Sequence, residues 1–247
     1  FTPFLYTFRD REKILTLFEI TCGARLLYNY MWIGGLSHDL HPDFVRLTKE
    51  FIEYFKPNLV ELNNLLTYNK IFIDRTANIG ILPADKAINF GITGPNLRAS
   101  GVKWDLRRDD PYSIYDRFDF EIPVGKGTFG TVGDCWDRYY LRVLEMEQSL
   151  RIIEQAIDHI PEGDVQSAIP KRIKPPEGEI YARVENPKGE LGFFIVSKGG
   201  LQPHRVKVRP PSFVNMGVLD EISKGHLVAD VVAILGSIDI VLGEIDR

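Results

Sequence analysis

Three long stretches of this chain place apolar side chains at the spacing of one face of an α-helix, and they limit the possible folds more than any other feature. They cover residues 10–32, 43–69 and 134–160. In each stretch, leucine, isoleucine and phenylalanine recur every three or four residues among charged side chains, which is the pattern of a helix packed on one side. The chain is therefore predicted to fold mainly as helices that bury their apolar faces against one another.

Glycine and proline mark the ends of these predicted helices. A Gly-Gly pair at 34–35 ends the first, and Pro42 opens the second. Pro57 lies inside the second and should kink or divide it, because proline lacks a backbone N–H. Asp134 is the candidate N-cap of the third, and Asp137 three residues later gives a capping-box variant with Asp in place of Glu or Gln.

The sequence between the second and third predicted helices is richer in loop residues. "ILPADKAINFG" predicts a short helix that ends at Gly91. Residues 94–133 contain many glycines, prolines and charges, and a connection of this length is uncommon unless it is functional or lies across a partner. We expect it to contact neighbouring chains, with the charged "LRASGVKWDLRRDD" as an interface loop held by ion pairs. Its "GKGTFGTVG" fits neither GxxxxGK[ST] nor the strand–turn–helix context of GxGxxG, so a flexible loop is favoured.

Short alternating runs near the end of the chain predict a small antiparallel sheet. "EIYARVE" and "ELGFFIVSKG" are joined by the turn-like "NPKG", and "HRVKVRPPSF" offers a third strand. Two short helices are predicted after it. The fold class is therefore α+β, mostly helical with a small antiparallel β element near the C-terminus, and residues 1–247 are predicted to form a single domain.

Charge and cysteine content argue against two kinds of partner. Lys and Arg number 30 and Asp and Glu 34, so the net charge is −4, which gives no general electrostatic case for binding nucleic acid. Cys22 and Cys135 lie far apart and outside any CxxC, which favours two separate thiols over a disulfide or a metal site. His38 and His41 lie in a polar turn and are interpreted as surface residues.

Targeting and membrane signals are also missing from the sequence. The longest apolar run, "HLVADVVAILGSIDIVLG", contains Asp230 and Asp239 and falls short of the roughly 18 uncharged residues of a membrane span. "FTPFLYTFRD" has an acid by its tenth residue and is not typical of a signal peptide. There is no GxSxG nucleophile elbow.

The last fourteen residues, "ILGSIDIVLGEIDR", place acids and an arginine in an apolar segment. Together with "ENPKGELGFF" they resemble two motifs of nickel–iron hydrogenase large subunits, "EAPRGxLG" and the terminal "DPCxxC" whose cysteines hold the metal. Val241 and Glu244 stand where those cysteines would be, Ile240 replaces the proline, and Lys188 replaces the motif arginine. Valine cannot ligate a metal and one carboxylate does not replace a thiolate pair. The resemblance therefore implies this fold without its metal, and a cavity open to another ligand.

Nearly the whole chain is similar to one branch of that superfamily, the D subunit of NADH–quinone oxidoreductase (respiratory complex I), called the H subunit in photosynthetic-type complexes. The matching segments occur in order: "TPFLYTFRDREKILTLFE", "ARLLYNY…GG", "TGPNLRASGVKWDLR", "DCWDRYYLRVLEMEQSLRIIEQAI", "KGELGFF", "RVKVRPPSFVN" and "LGSIDIVLGEIDR". The resemblance implies the C-terminal portion of such a protein, with the N-terminal part absent. In the family that part carries a His and a Tyr that bind the quinone carbonyls, so half of the site is expected here.

In this family the C-terminal segment lines a cavity, shared with the B subunit of the complex, that receives the quinone headgroup. Carried over residue by residue, the resemblance implies five quinone-binding positions: Asp239, Val241, Gly243, Asp246 and Arg247. Val241 would contact a flat ring, and Arg247 with Asp246 would set the local charge. The alternatives are that Asp239 caps or pairs within the core, and that Asp246 and Arg247 form a surface pair of little energetic weight.

Two further positions concern the partner's iron–sulfur cluster. Arg25 is retained and is expected to face the cluster side. Leu27 stands where many family members have a histidine. If that histidine couples proton uptake to cluster reduction, the coupling is weaker here, which favours a low-potential quinone such as menaquinone or plastoquinone.

The implied function is that of one component of a proton-translocating NADH:quinone oxidoreductase, inactive alone. The chain would bind no metal or cofactor itself, take electrons from the [4Fe–4S] cluster of the B subunit, and depend on NADH used elsewhere in the complex. The implied partners are quinone, the B, C and I subunits, and the A/H region of the membrane arm. The implied location is peripheral, on the cytoplasmic, stromal or matrix side of an energy-transducing membrane.

Two other functions compete with this one. A working hydrogenase would need two CxxC pairs, and the sequence has none. The remaining alternative is a structural or assembly component of a related membrane-bound hydrogenase-like complex, without a redox site of its own.

Overall fold

A computed structural model describes residues 2–246. The helices are α1 (Thr2–Cys22), α2 (Phe44–Leu62), α3 (Lys70–Thr76), α4 (Ala84–Asn89), α5 (Pro95–Ala99), α6 (Leu106–Asp109), α7 (Cys135–Ile157), α8 (Pro211–Met216), α9 (Leu219–Ser223), α10 (Val228–Ile238) and α11 (Leu242–Ile245). The strands are β1 (Met31–Trp32), β2 (Gly35–Leu36), β3 (Gly178–Asn186), β4 (Gly189–Ser197) and β5 (Arg205–Arg209). This arrangement confirms the mostly helical α+β class with a small antiparallel sheet near the C-terminus.

The chain divides into two compact units. Unit 1 comprises Phe1–Asn69 and Leu150–Ile173, and unit 2 comprises Lys70–Ser149 and Lys174–Arg247. Helix α7 begins in unit 2, and its last residues belong to unit 1. The single domain over residues 1–247 stays a prediction.

In unit 1 the first helix ends ten residues earlier than its sequence pattern predicts. The helix α1 stops at Cys22, because Gly23 takes a positive φ of 73° that leaves the helical region. Residues beyond it form the short antiparallel ribbon β1–β2, so the prediction of helix up to Trp32 was wrong. Apolar periodicity alone does not separate a helix from a two-stranded ribbon when the aromatic run is this short.

The second helix of unit 1 runs through its proline. Pro57 lies inside α2, which is continuous from Phe44 to Leu62, so of the two predicted outcomes the division is wrong and the kink stays a prediction. A π-helical segment, Asn63–Thr67, follows directly. Helix α2 packs on α1, and Tyr54 donates a hydrogen bond of 2.7 Å to the buried carboxylate of Asp10.

Unit 2 is built around one apolar cluster that includes the start of α7 and the inner face of α10. The buried members are Leu82, Ala87, Ile92, Leu97, Cys135, Val218, Ile222, Ile234 and Ile238. The short helix α4 lies at the edge of this cluster, and Gly91 follows it with a φ of 70°, as predicted. Burial of α10 on one face holds the C-terminal segment against the rest of the unit.

The start of α7 confirms one of the two predicted capping contacts. Asp134 accepts a hydrogen bond from the backbone N–H of Asp137 at 2.8 Å, as an N-cap should. The Asp137 carboxylate does not return to Asp134, and it accepts from the backbone N–H groups of Gly127 (2.9 Å) and Gly133 (3.4 Å) instead. The capping-box prediction was therefore wrong, and these contacts tie the glycine-rich loop to the helix.

The predicted loop of residues 94–133 begins as one of the most buried parts of unit 2. Every residue from 92 to 100 is buried, and α5, α6 and a 3₁₀ turn (Tyr115–Arg117) interrupt the irregular chain. Arg98 is only 2% exposed and forms ion pairs with Asp105, Glu145 and Glu185. The ion pairs were predicted correctly, but this arginine pairs inside the unit and is not available to an interface.

The three-stranded sheet of unit 2 has the order β3–β4–β5, with both pairings antiparallel. Asn186 pairs with Gly189, so Pro187 and Lys188 form the two-residue turn that "NPKG" predicted. Four short helices follow the sheet within the described residues, where two were predicted. Pro210 and Pro211 end β5 and start α8, because neither can donate to a sheet ladder.

Candidate functional site

The end of α10 forms a left-handed turn that joins this helix, which is buried on one face, to the segment 240–246. Asp239 has φ 60° and ψ 56° and follows the last helical residue, Ile238. Ile240 then packs against the core, and the backbone N–H of Val241 donates to the buried Ser212 hydroxyl at 3.3 Å. Val241 itself is 46% exposed, so its side chain is available to a ligand or a partner.

The remaining predicted positions of the terminal segment contribute less to a site. Gly243 lies in α11 and is exposed, with no atom within 4 Å of an added Cβ. Asp246 is exposed and follows α11. Arg247 lies outside the described residues. The roles assigned to these three residues stay predictions.

The carboxylate of Asp239 forms ion pairs with two cations. Lys188 Nζ hydrogen-bonds to Asp239 Oδ2, and Arg142 Nε lies 3.2 Å from the same oxygen. Among residues 2–246 no group donates to Asp239 Oδ1, and the side chain is 39% exposed. The site therefore presents a carboxylate oxygen and two fixed cations, one more positive charge than negative.

The hairpin turn of the sheet places Lys188 in this cluster. The Lys188 backbone N–H donates to Asn186 Oδ1 at 3.1 Å, and its carbonyl accepts from Asn215 Nδ2 at 2.9 Å. Behind the turn, Gly94 packs so closely that a Cβ there would lie 2.4 Å from the Cα of Gly189. The lysine is thus carried on a turn that is fixed on both sides.

Arg142 enters the cluster from α7. It is one-fifth exposed, and its guanidinium donates to the carbonyls of Ser237 (2.8 Å) and Ile238 (3.1 Å) and to Asn96 Oδ1 (3.0 Å). Burial lowers the pKa of Arg142 to about 10 while the nearby Asp239 acts in the opposite direction. The guanidinium therefore remains protonated at neutral pH.

Sequence reasoning did not include Arg142 and Asn96 in the site, and it named Lys188 only as the counterpart of a motif arginine. One signal was present in the sequence. Arg138 and Arg142 lie one turn apart on the helix-periodic segment "CWDRYYLRVL", where Arg142 is flanked by the buried Leu141 and Val143. An arginine on a packed helix face requires polar partners on a neighbouring element.

Arg25 lies in unit 1. It forms ion pairs with Glu12 and Glu19 of α1 and is 41% exposed. Leu27 is 92% exposed with a positive φ of 59°. The assignment of Arg25 to the cluster side is untested by these contacts and stays a prediction.

Comparison with known proteins identifies the family. The sequence matches the family described as the 49 kDa subunit of respiratory-chain NADH dehydrogenase, over residues 1–175 and 167–247. The chain belongs to this family. The resemblance inferred from the sequence motifs is thereby confirmed.

Individual proteins are also similar in sequence to this chain of the 49 kDa family. The D subunits of the NADH-quinone oxidoreductases of Chlorobium luteolum and Chlorobaculum parvum are each 58% identical over 251 residues, covering 100% of this chain. The D 1 subunit of the Cytophaga hutchinsonii enzyme is 56% identical over 255 residues. The chain spans 64%, 63% and 65% of the lengths of these three relatives.

Metal-binding clusters and membrane spans are both missing from the described part of the chain. Within residues 2–246 no group of three or more His, Cys, Asp or Glu side chains is arranged to hold a metal ion. Over the same residues, no helix is both long enough and apolar enough to cross a bilayer. Cys22 and Cys135 are free thiols, as the spacing predicted.

Proposed function

We propose that this 49 kDa-family chain lines the quinone cavity of an NADH–quinone oxidoreductase together with the B subunit of that complex. In that cavity electrons pass from a [4Fe–4S] cluster of the B subunit to quinone, coupled to proton translocation. The observation that carries the proposal is the juxtaposition of the half-exposed Val241 with the ionic cluster at Asp239, on the terminal segment of a chain of this family.

The chemistry of quinone reduction fits these groups. A quinone accepts two electrons and two protons and becomes a quinol, with each new O–H at a former carbonyl oxygen. Val241 supplies an apolar surface for the ring, and Lys188 is a cationic donor that can polarise a carbonyl oxygen. Asp239 Oδ1 is open to a hydrogen-bond donor, and in this proposal the electrons come only from the partner's cluster.

The other assignments implied by the family are part of the same proposal. The chain holds no cofactor of its own, and NADH is oxidised elsewhere in the complex. It contacts the B, C and I subunits and the A/H region of the membrane arm, and it works only within that assembly. It attaches peripherally to the cytoplasmic, stromal or matrix side of the membrane, with Arg25 on the side of the cluster.

The test compares two tryptophan substitutions in membranes that carry the complete complex. Val241→Trp fills the proposed ring contact, whereas Val232→Trp places the same bulk at a 76% exposed valine of α10 outside the site. Donor:quinone activity is measured beside donor:ferricyanide activity, which bypasses the quinone site. We expect Val241→Trp to abolish the first activity and retain the second, and Val232→Trp to retain both.

The opposite result would favour the structural or assembly function. If Val241→Trp leaves donor:quinone activity equal to that of Val232→Trp in an assembled complex, the cavity assignment is wrong.

A further inference from the structure

We propose that Arg142, together with Asn96, is a positioning residue for the quinone contact: it holds the turn that sets the direction of Asp239 and Val241. This inference rests on the proposed function of that segment and deepens it. Arg142 acts through the turn, since its contacts among the described residues are to backbone carbonyls, to Asn96 and to Asp239.

The end of α10 is fixed at its last two carbonyls. Arg142 donates to the carbonyls of Ser237 and Ile238, which have no helical donor because the helix ends there. A cation at this end is also favoured by the helix dipole. The guanidinium therefore fixes the point at which the terminal segment leaves the helix.

Asn96 uses both polar atoms of its side-chain amide to fix the same end of α10. Its Nδ2 donates to the Ile238 carbonyl at 2.9 Å, while its Oδ1 accepts from Arg142 at 3.0 Å. Asn96 is 2% exposed and lies in α5, which is buried in unit 2. The Ile238 carbonyl thus accepts two hydrogen bonds from groups that are themselves linked.

The turn between the Ile238 carbonyl and the exposed Val241 is short, and its Val241 end is also held by a hydrogen bond. Ser212 accepts from the Val241 N–H, so only Asp239 and Ile240 lie between two fixed points. The Nε of Arg142 also lies within ion-pair distance (3.2 Å) of Asp239 Oδ2, the oxygen that accepts from Lys188 Nζ, although this N–H makes no hydrogen bond to a described residue. A shift of the Ile238 carbonyl would therefore move both proposed quinone contacts together.

The closing experiment measures the KM for a short-chain quinone and the kcat, per unit of donor:ferricyanide activity, in membranes with the complete complex. The variants are Arg142→Lys, which keeps the charge but not the forked geometry, and Asn96→Asp, which keeps an acceptor for Arg142 but loses the donor to Ile238. The matched control is Arg98→Lys, the same change at a buried arginine of unit 2 whose ion-pair partners, Asp105, Glu145 and Glu185, lie outside the terminal segment.

We expect both test variants to raise the quinone KM about tenfold with kcat changed less than about twofold, the pattern of lost binding alignment. Arg98→Lys should lower the amount of assembled complex and leave the KM of the remainder unchanged. A wild-type KM in both test variants would overturn the inference, and so would failure of both to assemble, since the two residues would then serve folding alone.

The outcome of Val241→Trp separates this inference from the proposed function. If Val241→Trp blocks quinone reduction and Arg142→Lys leaves the quinone KM unchanged, the cavity assignment is supported and the positioning role of Arg142 is wrong. If Val241→Trp has no effect, the proposed function itself fails, whatever the KM of the Arg142 variant.

Discussion

Two ion networks that contain arginines lie in unit 2, one around Arg98 and one around Asp239, and they differ in their exposure to solvent. The network around Arg98 is closed at its centre: the side chains of Arg98, Asp105 and Glu185 are 2%, 0% and 5% exposed, and those of Arg107 and Glu145 at its edge are 17% and 18% exposed. The cluster around Asp239 is open, since the Asp239 side chain is 39% exposed and that of Lys188 is 23% exposed. Charged side chains of similar types are therefore buried at the centre of one network and accessible to solvent in the other.

The charge balance of the two networks differs as well. In the closed network Arg98 and Arg107 face three carboxylates. Burial alone would lower the pKa of Arg98, but Glu145, Glu185 and Asp105 outweigh it and raise that pKa. In the open cluster two cations share one carboxylate. A closed network can only contribute to folding, whereas an open one with spare charge is available to a ligand.

One short segment supplies both networks. Helix α5 carries Asn96 to the open cluster and Arg98 to the closed network, and Gly94 just before it packs against the turn that carries Lys188. The two networks therefore share one short helix, and four substitutions sharpen the comparison between them.

The largest effect is expected at the centre of the closed network. Arg98→Met leaves Asp105, Glu145 and Glu185 without their shared cation, which should lower the free energy of unfolding by about 3–5 kcal/mol. Urea unfolding of the full chain measures it, with Arg117→Met at an exposed arginine as the control. A loss below about 1 kcal/mol would contradict the view that this network stabilises the fold.

The next effect is expected where the two networks meet. Gly94→Ala requires a Cβ 2.4 Å from the Cα of Gly189, at a φ of 70°, so the free energy of unfolding should fall by about 3 kcal/mol. Gly91→Ala is a matched control, because its φ is also 70° but the nearest atom lies 3.8 Å from the added Cβ. Gly91→Ala should lower the free energy of unfolding by only about 1 kcal/mol. Equal losses in urea unfolding would show that the close approach of Gly94 and Gly189 has no energetic role.

A smaller effect, visible only in alkali, is expected at the rim of the closed network. Tyr112 OH donates to the Glu185 carbonyl at 3.3 Å, and burial raises the pKa of Tyr112 to about 12. Between the ordinary tyrosine pKa of about 10 and this value, the unfolded chain loses a proton that the folded chain keeps. The contribution of Tyr112 to stability is therefore complete below a pH of about 10 and lost as the pH rises towards about 12.

Urea midpoints of the wild type and Tyr112→Phe at pH values of about 9, 10 and 11 check this expectation. The gap between the two proteins should shrink as the pH rises. A constant gap over this range would mean that Tyr112 titrates as an ordinary exposed tyrosine.

The smallest effect on stability, and a clear one on activity, is expected in the open cluster. Lys188→Met removes one of two cations from a part-exposed carboxylate that keeps Arg142, so the free energy of unfolding should fall by less than about 1 kcal/mol. Donor:quinone activity of the complete complex should fall about tenfold, with ferricyanide activity retained. A large loss of stability with normal quinone activity would place Lys188 with the closed network.

The parts of the fold that follow local rules were predictable from the sequence. The hairpin around Pro187 and Lys188, the N-cap at Asp134 and the end of α4 at Gly91 each depend on a few adjacent residues. The errors came where distant groups decide. Asp137 does not close the predicted capping box, because its carboxylate accepts from the backbone N–H groups of Gly133, next to the N-cap, and of Gly127, ten residues earlier in the glycine-rich loop.

The candidate site could be predicted only in part for the same reason. The terminal segment was identified through resemblance, and Asp239 does lie in an ionic cluster. Its partners Lys188 and Arg142 come from a hairpin turn and a helix far earlier in the sequence, so no local pattern joins them. The solvent exposure of these side chains could not be predicted either. No local sequence pattern shows that Arg98 is buried and that Asp239 is partly exposed.

The left-handed turn at Asp239 also limits how this position can change in evolution. Glycine, asparagine and aspartate are the residues that adopt this conformation most readily. From an aspartate codon, single-nucleotide changes reach both asparagine and glycine, and either replacement keeps the turn while removing the charge. A descendant that no longer needed the carboxylate would therefore have two easy routes that leave the backbone intact, so the residue that relatives carry at this position would separate selection on the charge from selection on the turn.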